Sequence, residues 1–585
     1  MSLQKGLNKN ILLVFLGFIL ILTIGSVPFS TGTFMLTSIF IISSKKCNPK
    51  YLIVYMGSYL ILLNITFVLP ISNDDYLLSL YLLLSIIVYG KYVGDFDIGK
   101  KRSTIVFLTL LVVSAANALT KYFEKMTELL MNLLLNLGYD QVGHFAITRT
   151  LGECREFLFS CDPNSLSLPL NYMFYPQQWH LFFSRFINNE SLLHAIQTYL
   201  VVLVVSSVLS FYFISQSIKH FTLTIEKVRL KQYPHLKPLK KFMQVLVYLQ
   251  LTYLILLGYP NFVFALALFV FAVTLHDNTS SASYFLLSLC LIGSISMYTL
   301  FLVPGVLVFL YRTISSQARL SIKVVSMIVW LMFIFSIYMI AIEKNHVDFI
   351  DIGGGGINIV VVTIQIILFV GLVLNVLQVK NKEICSDSSD YELFIVNAIL
   401  LGCLLGLNAL LFYTGDLSGY YLLKFAYFAI ILGTINLFVT VSKINMTIPY
   451  ILMKPTSILL ILALVWYPMT LNPYTSTLSS TFTNLAKTPF VTLVNITSGP
   501  STNQRERILN IYSAAQFSKL SSKPVVVLTN NSGPDTQWAN SLSGNWSAEL
   551  NEYLENEIDN EIEFRDPDFQ AQHKNTFVFY ESEKG

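Results

Sequence analysis

A short stretch between two apolar segments combines a carboxylate with imidazoles. Asp140 and His144 are four residues apart, so on an α-helix they share one face. A second polar and aromatic group, Tyr175, Trp179 and His180, stands just before the next apolar run. A carboxylate can take a proton from a hydroxyl group, and imidazoles can orient a substrate or a phosphate. The pattern predicts a polar site that moves a proton.

Each of these residues also has a structural interpretation that the sequence leaves open. Asp140 comes two residues after Gly138 and can cap the helix that it opens. Trp179 and Tyr175 suit the aromatic belts that line bilayer interfaces. His144 and His180 can be polar residues at such an interface without a chemical role.

A phosphate leaving group would need cations to hold it. The candidate cations are Arg149, Arg155, Arg185 and Lys424. At about 100° per residue, Arg149 falls opposite Asp140 on a helix, whereas Arg155 returns towards its side.

Lys424 lies just inside an apolar run, one turn after Tyr420 and Tyr421. A charged residue within a membrane segment indicates function, and the alternative is a side chain that extends to the membrane surface. Tyr420 and Tyr421 are candidates to orient Lys424 or a sugar.

Other polar residues are weaker candidates. Asp74 and Asp75 form a second carboxylate pair, which we interpret as a solvated loop. Cys154 and Cys161 are spaced so that a disulfide is allowed but not required. No CxxC spacing is present, which argues against zinc or iron–sulfur sites. No metal or other cofactor is indicated, although a divalent metal stays open.

The elements that carry these residues are apolar. Charged residues make up only 12% of the chain, compared with about 25% in soluble domains, and the mean hydropathy is +0.61. We predict an all-α polytopic membrane domain with about 13–15 spans. The apolar runs lie at 10–29, 31–44, 51–69, 76–93, 104–120, 192–217, 242–257, 261–275, 282–297, 299–311, 321–342, 357–379, 392–412, 421–441 and 448–468.

Lysines and arginines cluster in every second loop, which predicts a multi-pass plasma-membrane protein with a cytoplasmic N-terminus and an extracytoplasmic C-terminus. We predict N-terminal helices over 1–103, a membrane core over 104–471 and a soluble domain over 472–585. The core would carry an outer loop at 121–191.

The tail is predicted to be a small α/β domain, because strand and helix patterns alternate along it. Strands are expected at 489–496, 523–529 and 575–580, and helices at 502–518 and 546–557. The Gly533-Pro534 pair is expected to mark a loop. Asp535, Trp538 and Trp546 could contact a glycan, but a structural role is the preferred interpretation.

The D-x-x-x-H pattern at Asp140 and His144, followed by Y-P-x-x-W-H ending at His180, resembles the polytopic bacterial glycosyltransferases of the GT-C superfamily. A Tyr-Tyr-x-x-Lys segment ending at Lys424 is also similar to one in some of these enzymes. The chain differs from many of them at Gln141, where they have a second acid, and at Gln178, where they have glycine.

The resemblance implies that Asp140 is the catalytic base, that the donor is a polyprenyl-phosphate sugar and that the acceptor is a cell-envelope glycan, lipid or protein. It assigns His144, Tyr175, Trp179, His180, Arg155, Tyr420, Tyr421 and Lys424 to substrate binding. The partners would then be the lipid bilayer, the lipid-linked donor and the acceptor; nothing indicates nucleic acid. A transporter or flippase of lipid-linked glycan, a polysaccharide polymerase and a non-enzymatic envelope scaffold are the alternatives.

Overall fold

The computed structural model describes a set of segments rather than the whole chain. For some positions, Asp140 among them, the description covers the backbone alone. The described segments are 49–68, 140–154, 178–187, 191–228, 236–256, 258–275, 280–343, 388–414, 420–444, 502–528, 532–544 and 577–580, together with isolated positions elsewhere.

The described residues are mostly helical, in agreement with the predicted all-α membrane part. Every predicted apolar run that falls within the described segments coincides with a helix. These helices are α1 (Pro49–Val68), α2 (Asp140–Cys154), α3 (Gln178–Ser184), α4 (Leu192–Val228), α5 (Leu236–Leu256), α6 (Pro260–Thr274), α7 (Ser281–Met297), α8 (Leu302–Ser315), α9 (Leu320–Glu343), α10 (Ser388–Thr414) and α11 (Tyr420–Ile444). The runs at 10–29, 31–44, 76–93, 104–120, 357–379 and 448–468 lie mostly or wholly outside the described residues, and the positions of 76–93 and 357–379 that are described are helical.

Two stretches within the described segments are long and apolar enough to cross a membrane, Leu192–Thr222 in α4 and Glu392–Leu410 in α10. Other apolar helices in the described part are shorter than a membrane span, for example Pro260–Thr274 and Ser281–Met297. A span needs about 20 apolar residues. The predicted number of spans and their orientation therefore stay predictions.

The chain divides into two compact units. The first contains Met1–Tyr172, Gln178–Val205 and the tail from Val494 to Gly585, and the second contains Met173–Gln177 and Ser206–Leu493. We call them the loop–tail unit and the helical unit. Helix α4 contributes residues to both. The boundaries predicted from the sequence, 1–103, 104–471 and 472–585, are a different division, and they stay predictions.

Helix α6 forms the centre of the helical unit. All its residues are buried, which suits a helix that is apolar on every side. Around it, Phe269 packs edge-to-face on Phe428 at 4.9 Å between ring centroids, and Phe301 lies 4.7 Å from the same ring. Ser294 of α7 donates to the Ala265 carbonyl at 2.8 Å, so the two helices are also linked by a hydrogen bond.

An apolar stripe on α8 is exposed. Val303, Leu307, Leu310 and Ile314 are 41–85% exposed, and their spacing puts them on one side of the helix. Helix α9 adds further exposed apolar side chains, including Leu331, Met332 and Phe335. So much contiguous apolar surface marks a face that meets a membrane or another protein.

The described part of the tail contains helix α12 (Thr502–Ser521), strand β1 (Val525–Leu528), helix α13 (Ser532–Ser543) and strand β2 (Phe577–Tyr580). The two strands pair in parallel, with Val525 opposite Phe577. Helix α12 and both strands fall where the sequence predicts them. The expected loop at Gly533-Pro534 is wrong, because this pair lies in the first turn of α13. Proline is tolerated there, since the first helical N–H groups have no partner within the helix.

Side chains of α13 cover the other edge of β1. The Asn540 amide donates to the Val525 carbonyl at 2.9 Å and accepts from its N–H at 2.8 Å. One turn earlier, the Thr536 hydroxyl accepts from the Val527 N–H at 2.8 Å. These side-chain bonds occupy the edge of β1 that does not face β2, in the place of a neighbouring strand.

Two helices and two short strands, within the described part of the tail, do not make a layered α/β domain. That finer prediction is therefore not established by the described residues. The predicted strand at 489–496 and helix at 546–557 lie outside them.

Candidate functional site

Helix α2 carries the first half of the predicted motif. It begins at Asp140 and continues to Cys154, so Asp140 and His144 lie one turn apart on one helix, as predicted. The Thr148 hydroxyl donates to the His144 carbonyl at 2.6 Å and adds a side-chain bond to this turn. The side chain of Asp140 lies outside the described residues.

The two predicted histidines are in contact. His144 Nδ1 and His180 Nε2 are 2.8 Å apart, although 36 residues separate them in sequence. The rings are stacked, with 5.0 Å between their centroids and 28° between their planes. Two imidazole nitrogens this close must share a proton, since two lone pairs facing each other would repel. The contact therefore joins both halves of the D-x-x-x-H and Y-P-x-x-W-H pattern.

Helix α3 holds His180 within an aromatic group. Trp179 is fully buried, and its ring lies 5.9 Å from His144 and 5.0 Å from Phe183. Phe182 packs edge-to-face on Tyr59 of α1 at 5.1 Å. Trp179 is thus a packing residue of the loop–tail unit that also contacts a candidate site residue.

Burial makes the charged form of His180 unfavourable. Desolvation lowers the pKa of His180 well below its usual range, and the neighbouring His144 lowers it further. His180 is therefore neutral near pH 7. Its second ring nitrogen, Nδ1, is buried and has no hydrogen-bond partner among the described residues. Leaving such a group unpaired costs about 1–3 kcal/mol.

Gln141, which departs from the family pattern, has a structural partner. Tyr199 of α4 donates its hydroxyl hydrogen to the Gln141 side-chain oxygen at 2.7 Å, and both residues are fully buried. The Tyr199 ring packs edge-to-face on Phe145 at 5.1 Å. Here the residue next to Asp140 fixes α2 against α4.

Arg149 is bound by the tail. Its guanidinium donates to the carbonyls of Ser541, at 3.2 Å, and Leu542, both in the last turn of α13. Arg149 is buried. As the sequence predicts, it is on another side of α2 from Asp140. Its observed partners are backbone carbonyls of the protein.

Lys424 belongs to the helical unit. Its side chain is 4% exposed, and its ammonium lies 4.1 Å from the centre of the Tyr259 ring and 5.3 Å from that of Tyr298. Such cation–π contacts contribute about 0.5–2 kcal/mol each. Within the described structure, the side chain is enclosed rather than extended to a surface, so the snorkelling alternative does not describe it.

Two of the three tail residues considered as glycan contacts have structural roles, and Trp546 lies outside the described residues. The carboxylate of Asp535 is fully buried, and Arg507 of α12 binds it at 2.6 and 2.8 Å. Trp538 is buried, with its ring 6.3 Å from that of Phe145 in α2. The structural interpretation of this pair is thereby supported.

Several predicted site residues lie outside the described residues. Tyr175, Arg155 and Cys161 fall in the gap between α2 and α3, and Asp74 and Asp75 precede α2. Tyr420 and Tyr421 form the first turn of α11, and Cys154 is the last residue of α2, but their side chains are outside the description. Their predicted roles, including the disulfide, stay predictions.

Among the described residues, no group of three or more His, Cys, Asp or Glu side chains could hold a metal ion. The contacts that bind α2 to the tail were not predicted. Gly544, which ends α13 with φ at 87°, is a local signal for a helix C-terminus, but it does not indicate what the end of the helix contacts.

Compared with protein-family models, curated proteins and solved structures, the chain has no match in any of the three. The functional argument consequently depends on the residues themselves and on their arrangement.

Proposed function

We propose that this chain is a polytopic membrane glycosyltransferase that moves a sugar from a polyprenyl-phosphate donor to an extracytoplasmic cell-envelope acceptor. The observation that carries the proposal is the 2.8 Å contact between His144 and His180. This contact brings the two sequence motifs together in space, whereas in the sequence only the family resemblance connected them. The exposed apolar stripe on α8 and the two long apolar stretches support the membrane part of the proposal.

In the proposed reaction, Asp140 takes the proton of an acceptor hydroxyl. The hydroxyl oxygen forms a bond to the anomeric carbon while the bond between that carbon and the phosphate oxygen breaks. The lipid phosphate leaves with the electron pair, and the resemblance implies inversion at the anomeric carbon. A positioned general base contributes about 10²–10⁴-fold to such a step.

The histidines suit a positioning role better than that of a second base. The contact occupies one nitrogen on each ring, and the buried His180 Nδ1 has no hydrogen-bond partner among the described residues. The low pKa of His180 keeps its ring neutral, so it can orient a hydroxyl group or a phosphate oxygen without adding charge.

Lys424 is proposed to bind the lipid phosphate, with Tyr420 and Tyr421 of the same helix to orient it. Arg155 is a separate candidate cation for the phosphate. The faces of aromatic rings are negative, so they attract the ammonium. It can still donate hydrogen bonds to phosphate oxygens.

The test is a transfer assay with purified full-length protein in lipid nanodiscs. Donors are a panel of polyprenyl-phosphate hexoses and pentoses, and the measurement is release of the lipid phosphate. We expect Asp140→Asn to lower the rate by at least about 10²-fold while leaving membrane insertion intact. Wild-type rates in this variant would reject Asp140 as the base.

The matched controls are Asp74→Asn and Asp75→Asn, which change the other carboxylates predicted on the same side of the membrane. We expect both to keep wild-type rates. A loss in these variants alone would move the base to that pair. If wild-type protein carries labelled lipid-linked sugar across the bilayer without hydrolysing or transferring it, the flippase alternative replaces the proposal.

A further inference from the structure

The tail and α2 are joined by a buried polar contact. The Arg149 guanidinium reaches the carbonyls of Ser541 and Leu542, and Arg149 is only 3% exposed. Beside it, the rings of Phe145 and Trp538 are 6.3 Å apart. Phe145 and Arg149 are four residues apart, so the same side of α2 makes both contacts.

The end of α13 is suited to bind a guanidinium. The chain leaves the helix at Gly544, whose N–H returns to the Asn540 carbonyl at 3.0 Å. The last carbonyls of a helix lack intrahelical partners and carry partial negative charge. A planar guanidinium can donate to two adjacent oxygens in fixed geometry, which an ammonium does less well.

On the tail side, hydrogen bonds to other tail elements hold α13 in place. Asn540 and Thr536 bind α13 to the backbone of β1. The Ser543 hydroxyl, at the very end of α13, lies 2.9 Å from Ser518 Oγ of α12. The carbonyls that bind Arg149 therefore belong to a helix that two other tail elements hold in place.

On the α2 side, the contact lies close to the candidate site. Asp140 and His144 occupy one side of the helix, and Phe145 and Arg149 occupy a side about 140° away. Because a helical turn is rigid, holding one side fixes the direction of the other. The contact of His144 with His180 requires α2 to keep one rotation about its axis.

We infer that the C-terminal tail positions α2 through Arg149, and so sets where Asp140 and His144 lie. Arg149 is a positioning residue, and the tail is part of the unit that carries the site rather than a detached glycan-binding module. The effect on sugar transfer rests on the proposed function, whereas the effect on α2 does not.

The test compares Arg149→Met and Arg149→Lys with the wild type in full-length protein. Diethyl pyrocarbonate modification of the half-buried His144 and the buried His180, followed by peptide mass spectrometry, measures how often the pair opens. We expect modification to be about tenfold faster in Arg149→Met, with Arg149→Lys in between, because lysine cannot match the guanidinium geometry. Equal rates in all three proteins would overturn the inference.

The matched control is Arg505→Met, which changes an exposed arginine on α12 of the same tail. It should keep the wild-type modification rate. An equally large increase in this control would mean that any change in the tail loosens α2, and the assignment to Arg149 would fail. If Arg149→Met does not fold, the comparison of Arg149→Lys with wild type decides the question.

The transfer assay then separates positioning from simple stability. We expect kcat to fall by about 10²-fold in Arg149→Met, because small misplacements of reacting groups are costly. KM should change by less than about threefold, and Arg149→Lys should recover most of the loss. Faster modification in a protein whose wild type transfers no sugar would keep the inference and reject the proposed function. Faster modification with an unchanged kcat would reject the positioning role.

Discussion

Both units contain an ion pair with a buried carboxylate, but the ionisable groups at their candidate sites differ. In the helical unit, the buried charge of Arg312 meets that of Glu392 at 2.5 Å, and the ammonium of Lys424 lies against two aromatic rings. In the loop–tail unit, the neutral ring of His180 has a buried nitrogen with no partner among the described residues. Buried side-chain atoms with no partner among the described residues also occur in the helical unit, for example on Gln250 and Tyr427, so such atoms do not by themselves mark a site. The contact of His144 with His180 directs the search for chemistry to the loop–tail unit.

The largest effect is expected where the helical unit loses a partner of its ion pair. Arg312→Met leaves Glu392 buried without its main counter-charge, and we expect the unfolding free energy to fall by about 3–5 kcal/mol. Denaturant or thermal unfolding in detergent measures this. Adding Glu392→Gln should restore most of the stability. If Arg312→Met is as stable as wild type, the helical unit does not depend on charge pairing, and the comparison fails.

The loop–tail unit should respond more locally when a polar contact is lost. Asn540→Leu leaves the buried Val525 N–H and carbonyl unpaired, at a cost of about 1–3 kcal/mol. Amide hydrogen exchange at Val525 should therefore speed up by about 5–150-fold.

Asn510→Leu, on α12, is the matched control for Asn540→Leu. The Asn510 amide nitrogen is buried and has no hydrogen-bond partner among the described residues, so exchange at Val525 should not change. If amide exchange at Val525 in Asn540→Leu stays as slow as in the wild type, the two hydrogen bonds do not stabilise β1.

The low pKa of His180 makes stability depend on pH. The folded protein resists protonation of this ring, so below about pH 6.5 the unfolded chain binds a proton that the folded chain does not. Stability should therefore fall with decreasing pH, by at most about 1.4 kcal/mol per pH unit.

His180→Leu should remove this part of the slope, whereas His194→Gln, on α4, should keep it. Thermal unfolding between pH 7.5 and pH 5.5 measures the difference. An unchanged slope in His180→Leu would mean that the buried ring does not resist protonation.

The helices were predictable because length and hydropathy determine them. The apolar runs at 261–275 and 282–297 coincide with α6 and α7 to within one residue. The contact of His144 with His180 was not predicted, because 36 positions along the chain leave their approach to tertiary packing. Helix α13 was missed because Gly533-Pro534 favours a loop locally, while packing against β1 makes a helix of it.

The contact between Arg149 and the tail could not be predicted from local sequence. It joins residues 392 or more positions apart, and its acceptors are backbone carbonyls, which any residue type carries. Only the direction of Arg149 on α2, away from Asp140, was available from helical geometry.

The smallest stability change is expected at Lys424, where the two interpretations differ most in function. Lys424→Met loses cation–π contacts of about 0.5–2 kcal/mol but buries an apolar side chain of similar length, so the unfolding free energy should change by less than about 1 kcal/mol. If Lys424 binds the lipid phosphate, KM for the donor should rise by about tenfold or more, since a charge-assisted hydrogen bond contributes about 1.5–3 kcal/mol. Lys424→Arg, which keeps the charge, should stay closer to wild type. A large loss of stability with an unchanged KM would make Lys424 structural, like Arg312, and would leave the donor phosphate to groups of the loop–tail unit.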